Sequence, residues 1–480
     1  MSLSSPLAKR RIAPPVEPLP TIASALAGFV AELSLENIPD RVATRARHLI
    51  LDAIGIAFAS GRFDFARRAL SAMLSLAEGS GEAVVIGFSD RLPYRDAAVM
   101  NGVLVHGLDF DDTHLGGVVH TSASLVPTIL SVGVRQGSSG AEALAAYIAG
   151  VETMARLGAV AKGGFHQVGF HPTGLVGAFA CALAAGKLMG LDRDQLTAAQ
   201  GIVLSTAAGT LEFLEDGAWN KRLHPGWAAA SGITAAMLAQ HGFVGATKVY
   251  EGRFGLYASH LQDRFDPADL GAATAALGAR WELMDVAVKP FPACHFTHAC
   301  ADAAIALKRD HALDPRNVRR IKALVPAEVV KTVCEPEASK RRPVNAYDAQ
   351  FSIPYIVASA LRHGRFGLAE LSDQALADAE TLSLAGRVDY EVDARSEFPR
   401  YYSGELVVEL HDGRVLRHRE ARNRGCGDLP LSEAEIIAKF AGNCRGTVAE
   451  ARAEALGSRI LAMHRAADMR DLAAELGSPG

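Results

Sequence analysis

The chain has 480 residues, with 49 Lys and Arg against 53 Asp and Glu, a formal charge of −4 with histidine neutral. So small a negative balance leaves no basic footprint for nucleic acid, and no apolar run reaches the roughly 18 residues expected of a bilayer span, so no membrane role is expected. A hydrophobic share of 49% with 21% charged residues describes a chain that buries large cores, in two or three domains at the soft prior of about 150 residues each.

Residues 1–20 are basic and Pro-rich and lack the apolar centre of a signal peptide, so a disordered tail is expected there. The six cysteines, Cys181, Cys294, Cys300, Cys334, Cys426 and Cys444, form no CxxC pair. They read as reduced thiols of a cytoplasmic protein rather than as a zinc or iron–sulfur framework.

From Thr21 onward the periodicity is helical and the composition is rich in Ala, Leu, Gly and Val. Small residues dominate where these helices would meet, which permits close packing. The stretch from Ala97 to His120, AAVMNGVLVHGLDFDDTHLGGVVH, opens as an apolar helix and ends in a dense polar cluster. Continued as a helix, it places His106, Asp109 and Thr113 on one face, with Asp112 a turn beyond Asp109. Carboxylates at a helix C-terminus meet the negative end of the dipole. Asp109, Asp111 and Asp112 therefore need donors, a cation or a function, unless they form a solvated cap. A divalent metal site and acid–base chemistry both fit the stretch.

Two later clusters open helices. In GFHPTG (residues 169–174), His171 precedes Pro172 and Thr173 at a helix start, where outward N–H groups suit an anion. A plain capping histidine is the alternative. In KRLHPGWAA, Lys221, Arg222 and His224 come before Pro225 and a helix of small residues, a cationic group that an anionic ligand would compensate.

Near residue 284 the character changes. KPFPACHFTH carries Lys289, Cys294, His295 and His298 into an amphipathic helix. Strand patterns follow at 318–326 and 386–393, then a hairpin turning at Asp412 and Gly413. Residues 345–364 read as helix around Tyr355. Ser432 and Glu435 stand in capping-box spacing before the final helices. The expected fold is mainly α: a large all-helical domain (21–283 and 431–480) and a smaller α+β lid domain (284–430) inserted before the C-terminal helices. A cleft between them is the natural place for a small molecule.

The chain has no GxGxxG with strand logic, no P-loop, no GxSxG elbow and no HExxH. What remains is acid–base chemistry on a small anionic substrate. Five strings in order, NGVLVHGLDFDDTH, GFHPTG, KRLHPGWAA, KPFPACHFTH and DAQFSIPYIVA, resemble the MmgE/PrpD family over most of the chain. The resemblance implies the same two-part architecture, a homodimer, and a reaction needing neither metal nor organic cofactor.

By position, the resemblance makes Asp109, Thr113, His120, His171, Lys221 and Tyr355 the catalytic candidates. Lys221, His224, Lys289, Cys294 and His295 are the candidates for holding substrate. His120 and His171 would share the roles of base and acid, Asp109 and Thr113 would orient them, and Lys221 would bind a carboxylate. Decarboxylases of the family carry a histidine where this chain has Cys294, and Trp-His-Pro within the run that here reads HLGGVV (114–119). The first expectation is therefore a cofactor-independent lyase of the 2-methylcitrate dehydratase kind, working by proton abstraction next to a carboxylate. Epimerisation comes second and decarboxylation behind it. From other classes come a metal-dependent hydrolase using His106, Asp109, Asp112 and His114, and a binding protein without catalysis.

Overall fold

The computed structural model describes residues 20–77 and 81–477. The tail expected over 1–20 lies, Pro20 apart, outside the described residues. The chain is mainly α, as its periodicity implies. The helices that matter for the site are α1 (Asp40–Ser60), α2 (Tyr94–His106), α3 (Thr121–Gln136), α4 (Gly140–Val160), α5 (Pro172–Leu188), α6 (Asn220–Gln240), α7 (His298–His311), α8 (Ile353–His363) and α9 (Glu433–Cys444). Helix α6 lies along α5 and α2, and α5 packs on α3 and α4.

Missing side chains set these approaches. A Cβ added to Gly102 of α2 would stand 2.4 Å from the Gly226 Cα of α6, and one added to Gly232 would stand 2.5 Å from the Ala182 nitrogen of α5. The helices therefore touch backbone to backbone, closer than larger residues permit. Helix α4 corrects one expectation. It is long and apolar enough to cross a membrane, but 94% of its most apolar window is buried inside the protein, so its apolar surface is taken up by the core.

Two hydrophobic clusters hold most of the buried apolar side chains. The first joins residues between Ala23 and Val288 to others between Leu431 and Leu476. Helix α9 enters it through Ile436, Phe440 and Cys444, after the Ser432 and Glu435 capping box that the sequence marks. The second runs from Ala287 to Cys426 and takes in Leu115, Val118 and Phe213 from earlier in the chain. It is built on four strands, β3 (Val318–Val325), β4 (Val388–Val392), β5 (Gly404–Leu410) and β6 (Val415–Glu420), in the order β4-β3-β5-β6. Strands β3 and β4 are parallel and the other pairs antiparallel. Helix α7 packs on β5 and β6 and against α8. A two-residue pair, β1 (Thr113–His114) with β2 (Val286–Ala287), stitches the polar stretch after α2 to the segment leading into Lys289.

Candidate active site

Helix α2 stops at His106, so the helix expected to carry Asp109 and Thr113 does not continue that far. The chain turns instead: the Asp109 N–H donates to the His106 carbonyl at 3.2 Å, and Asp109 takes a left-handed φ of +48°. Thr113 and His114 then pair as β1. The expected side chains still converge, because the turn folds them over the helix end.

Each carboxylate has its own donors. Asp109 accepts from Lys221 Nζ at 2.5 Å and from Lys289 Nζ at 3.1 Å, and Lys289 also donates to the Asp109 carbonyl at 2.9 Å. Although burial alone would raise its pKa, the two ammoniums hold the Asp109 carboxyl well below the usual range. Asp111 Oδ2 accepts from His106 Nδ1 at 2.7 Å, and its pKa is also lowered. Asp112 points to the start of α3, where it accepts from the Ser122 N–H at 3.1 Å and from the Ser122 and Thr121 hydroxyls. A helix N-terminus favours negative charge, yet burial pushes the Asp112 carboxyl up to about 7.

The histidines converge from three helix ends. His120 is the N-cap of α3, and its Nδ1 lies 2.7 Å from the Asp112 carbonyl and 3.2 Å from Thr113 Oγ1. The carbonyl can only accept, so the hydrogen sits on Nδ1 and Nε2 keeps its lone pair. His171 is the N-cap of α5 with Pro172 at the first position, the start expected from GFHPTG. Its Nδ1 faces His224 Nδ1 at 3.0 Å. Lys221 and Arg222 lie in the first turn of α6, which begins at Asn220 and contains Pro225, not ahead of the helix as the Lys-Arg-Leu-His-Pro run suggests. Arg222 donates to the Gly107 carbonyl at 2.8 Å and stacks on Phe65 and Tyr347, locking the end of α2 to α6.

These groups close on a cavity of about 40 Å³ lined by Thr113, His120, His166, His171, Lys221, Cys294 and His295, with Phe213, Phe351 and Tyr402 as apolar walls. Burial and neighbouring cations lower every histidine here: His120 and His171 fall well below their ordinary value, His166 to about 4 and His295 to about 3. The rings are neutral near pH 7. Burial raises the Cys294 thiol to about 11, so it too is neutral.

Not every candidate reaches the cavity. Tyr355 lies among Phe291, Ile356, Phe366 and Leu371, and its hydroxyl donates to the Glu370 carbonyl at 2.7 Å, a core tyrosine with a satisfied handle. Lys289 and His224 do not line the cavity; Lys289 contacts Asp109 and His224 contacts His171. The hydrolase ligand set is not assembled: Asp109 is held by lysines, Asp112 by α3, and His114 Nε2 by Glu282 at 3.3 Å. Among the described residues, the groupings with spacing for an ion are His106, His120 and His171, and separately His114, Glu282 and Asp285.

Other residues escape sequence reasoning. His166, five positions before His171 in the same run, lines the cavity, and its type and nearness were a usable signal. Asn423 donates to His295 Nε2 at 2.8 Å. Lys439 of α9 pairs with buried Asp52 at 2.8 Å and donates to the Phe110 carbonyl at 2.9 Å, bracing the turn from behind. Several buried atoms of these side chains have no hydrogen-bond partner: Asp109 Oδ2, Asp111 Oδ1, His106 Nε2, His171 Nε2 and His295 Nδ1. Unsatisfied buried polar groups are costly, and two of these, on His171 and His295, belong to side chains that line the cavity.

Two family models match the chain, the MmgE/PrpD N-terminal domain over residues 24–268 and the MmgE/PrpD C-terminal domain over 291–463. Among curated relatives, a cis-aconitate decarboxylase-like protein, oryM, of Aspergillus oryzae is 27% identical across 94% of this chain and 96% of its own. Cis-aconitate decarboxylase of Mus musculus is 29% identical across 90% and 89%. A 2-methylcitrate dehydratase of Cupriavidus necator is 25% identical across 77% and 79%.

Proposed function

The chain belongs to the MmgE/PrpD family, and we propose that it is a cofactor-independent lyase that takes a proton from the carbon next to a carboxylate of a small polycarboxylate. The observation that carries this reading is His120. With its hydrogen fixed on Nδ1 by the Asp112 carbonyl, it offers a neutral Nε2 lone pair beside Lys221. A general base needs that protonation state and that position.

In the first half-reaction the C–H proton passes to His120 Nε2, and the bonding pair moves into the enolate of the adjacent carboxylate. Lys221 and Lys289 share the single carboxylate of Asp109. One positive charge of that trio is left over for a substrate carboxylate and for the enolate. When His224 donates from Nδ1 to His171 Nδ1, His171 carries its hydrogen on Nε2. It can then protonate a departing hydroxyl, which leaves as water, and the proton taken up by His120 passes back to His171, so that both rings end neutral and the substrate's C–H proton leaves in the water. Neutral rings have no imidazolium proton to give at the outset, which favours this base-first order over one that begins with protonation of the substrate. Returning the proton to the opposite face instead would give epimerisation.

Decarboxylation is the second reading, favoured by the decarboxylases that align with about nine tenths of this chain. The same site would hold the electron pair left by carbon dioxide, and a histidine would protonate the carbon. Incubation with 2-methylcitrate, citrate, cis-aconitate and related hydroxy- and aminodicarboxylates, with carbon dioxide and alkene both measured, tests the two. Alkene without carbon dioxide supports the first reading and carbon dioxide the second. A homodimer completes the proposal, supported by the exposed apolar face that Leu223, Trp227 and Leu238 make along α6.

A further inference from the structure

The rings of His106, His120 and His171 stand together, His120 and His171 lining the cavity and His106 packed against both of them. Centroids lie 4.9 Å apart for His106 and His120, 5.4 Å for His106 and His171, and 6.1 Å for His120 and His171. One ring nitrogen from each lies within 4.8 Å of one from each of the others. One nitrogen of each ring, Nδ1, has an oriented partner. His106 Nδ1 donates to the Asp111 carboxylate at 2.7 Å, His120 Nδ1 donates to the Asp112 carbonyl at 2.7 Å, and His171 Nδ1 meets His224 Nδ1 at 3.0 Å. His106 Nε2 and His171 Nε2 are left buried without a partner.

For His106 and His120 this is how metal-ligating imidazoles are built. The second nitrogen donates to a carboxylate or carbonyl, which fixes the tautomer and turns the lone pair toward the ion. Nothing in proton transfer calls for His106 to present a buried, unpartnered Nε2, since it does not line the cavity.

We propose that His106, His120 and His171 form a binding site for one divalent ion of the zinc class, and that the ion inhibits the enzyme by taking the lone pairs of His120 and His171. Zinc bound by imidazole has nitrogens at about 2.0–2.1 Å in a tetrahedron, so the three rings close in by roughly an ångström, with the fourth position left to water or a substrate carboxylate. Binding selects the tautomer in which His171 donates to His224. Lys221 and Lys289 oppose the cation, and the buried carboxylates of Asp109 and Asp111 offset them. The inhibition rests on the acid–base reading above; the binding does not.

The test uses full-length protein treated with EDTA and titrated with cobalt(II), whose visible absorption is strong only in low-coordinate sites. Saturation at one equivalent per chain, with displacement by zinc, is expected. Removing an outer-shell partner weakens such sites by about 10- to 100-fold, so Asp111→Asn should weaken binding at least about tenfold. His106→Ala should abolish the spectrum, with circular dichroism confirming that both variants fold. Should His106→Ala fail to fold, Asp111→Asn and His120→Asn carry the test. No stoichiometric cobalt, or a spectrum that survives His106→Ala, overturns the site. Turnover that falls in step with occupancy supports the inhibitory role, and turnover that rises with occupancy overturns it. A protein that binds cobalt but turns over no polycarboxylate keeps the site and removes the lyase reading instead.

Discussion

Lys289 Nζ grips Asp109 twice, at the backbone carbonyl (2.9 Å) and at the carboxylate (3.1 Å), and Asp109 is the residue whose φ of +48° ends the turn after α2. A left-handed aspartate is tolerated there because a buried cation ties down both its halves. Removing one partner from a buried ion pair costs about 3–5 kcal/mol, because the charge left behind is uncompensated. Asp109→Ala strands two ammoniums and should cost at least that much in urea unfolding. A loss below about 1 kcal/mol would mean the lysines find water instead.

His120→Asn should lower kcat by at least about a hundredfold with little change in KM, because a positioned base contributes about that much. His171→Ala should fall comparably. Steady-state kinetics checks both, and near-wild-type turnover of either variant removes that histidine from the proton relay.

Lys221 touches both Asp109 and the cavity. If its ammonium steadies the enolate, Lys221→Ala depresses kcat as well as raising KM. A rise in KM alone would confine it to substrate binding.

Stability should rise with pH between about 4 and 6.5. Burial pushes His166 and His224 down to about 4 and His295 to about 3, and lowers His106, His120, His171 and His298 too. The unfolded chain, with histidines near 6.5, binds more protons across that window. Their contribution is complete above about 6.5 and is lost as pH falls. Asp112, raised to about 7, works in the opposite sense between about 4 and 7, as do Asp52, Glu152, Asp285 and Asp302, whose carboxyls burial also raises, but the seven histidines outnumber these five carboxyls. Melting temperatures across pH 4–7 check the sign. Activity should keep its acid limb below the ordinary histidine value; a limb at 6.5 would mean the base is solvated.

Trp227 is 53% exposed on the same face of α6 as Leu223. Trp227→Glu should shift the mass measured by light scattering from dimer toward monomer, with the melting temperature little changed. A wild-type chain that is already monomeric rules out the dimer.

Much of this was legible in the sequence, wherever a local pattern carries the information. Apolar periodicity marked α2, Pro172 and Thr173 marked the start of α5, and the Ser432 and Glu435 box marked the start of α9. Alternation and the Asp412–Gly413 turn marked the β5–β6 hairpin. Long-range partners carried the rest. The turn at Asp109 depends on Lys221 and Lys289, more than a hundred residues away, so period 3.6 ran on too far. Tyr355 sits in a matching motif, but a carbonyl at Glu370 decides where its hydroxyl goes. Asp52 stands alone among the apolar residues of α1, a mark of a buried charge, but nothing local names Lys439, 387 residues on, as its partner.

The most direct test is proton NMR of the EDTA-treated enzyme in D₂O with 2-methylcitrate, citrate, cis-aconitate and related dicarboxylates. Deuterium entering the position next to a carboxylate, abolished by His120→Asn, is the expected result. Turnover without any such exchange, or exchange undiminished in His120→Asn, would contradict proton abstraction by His120.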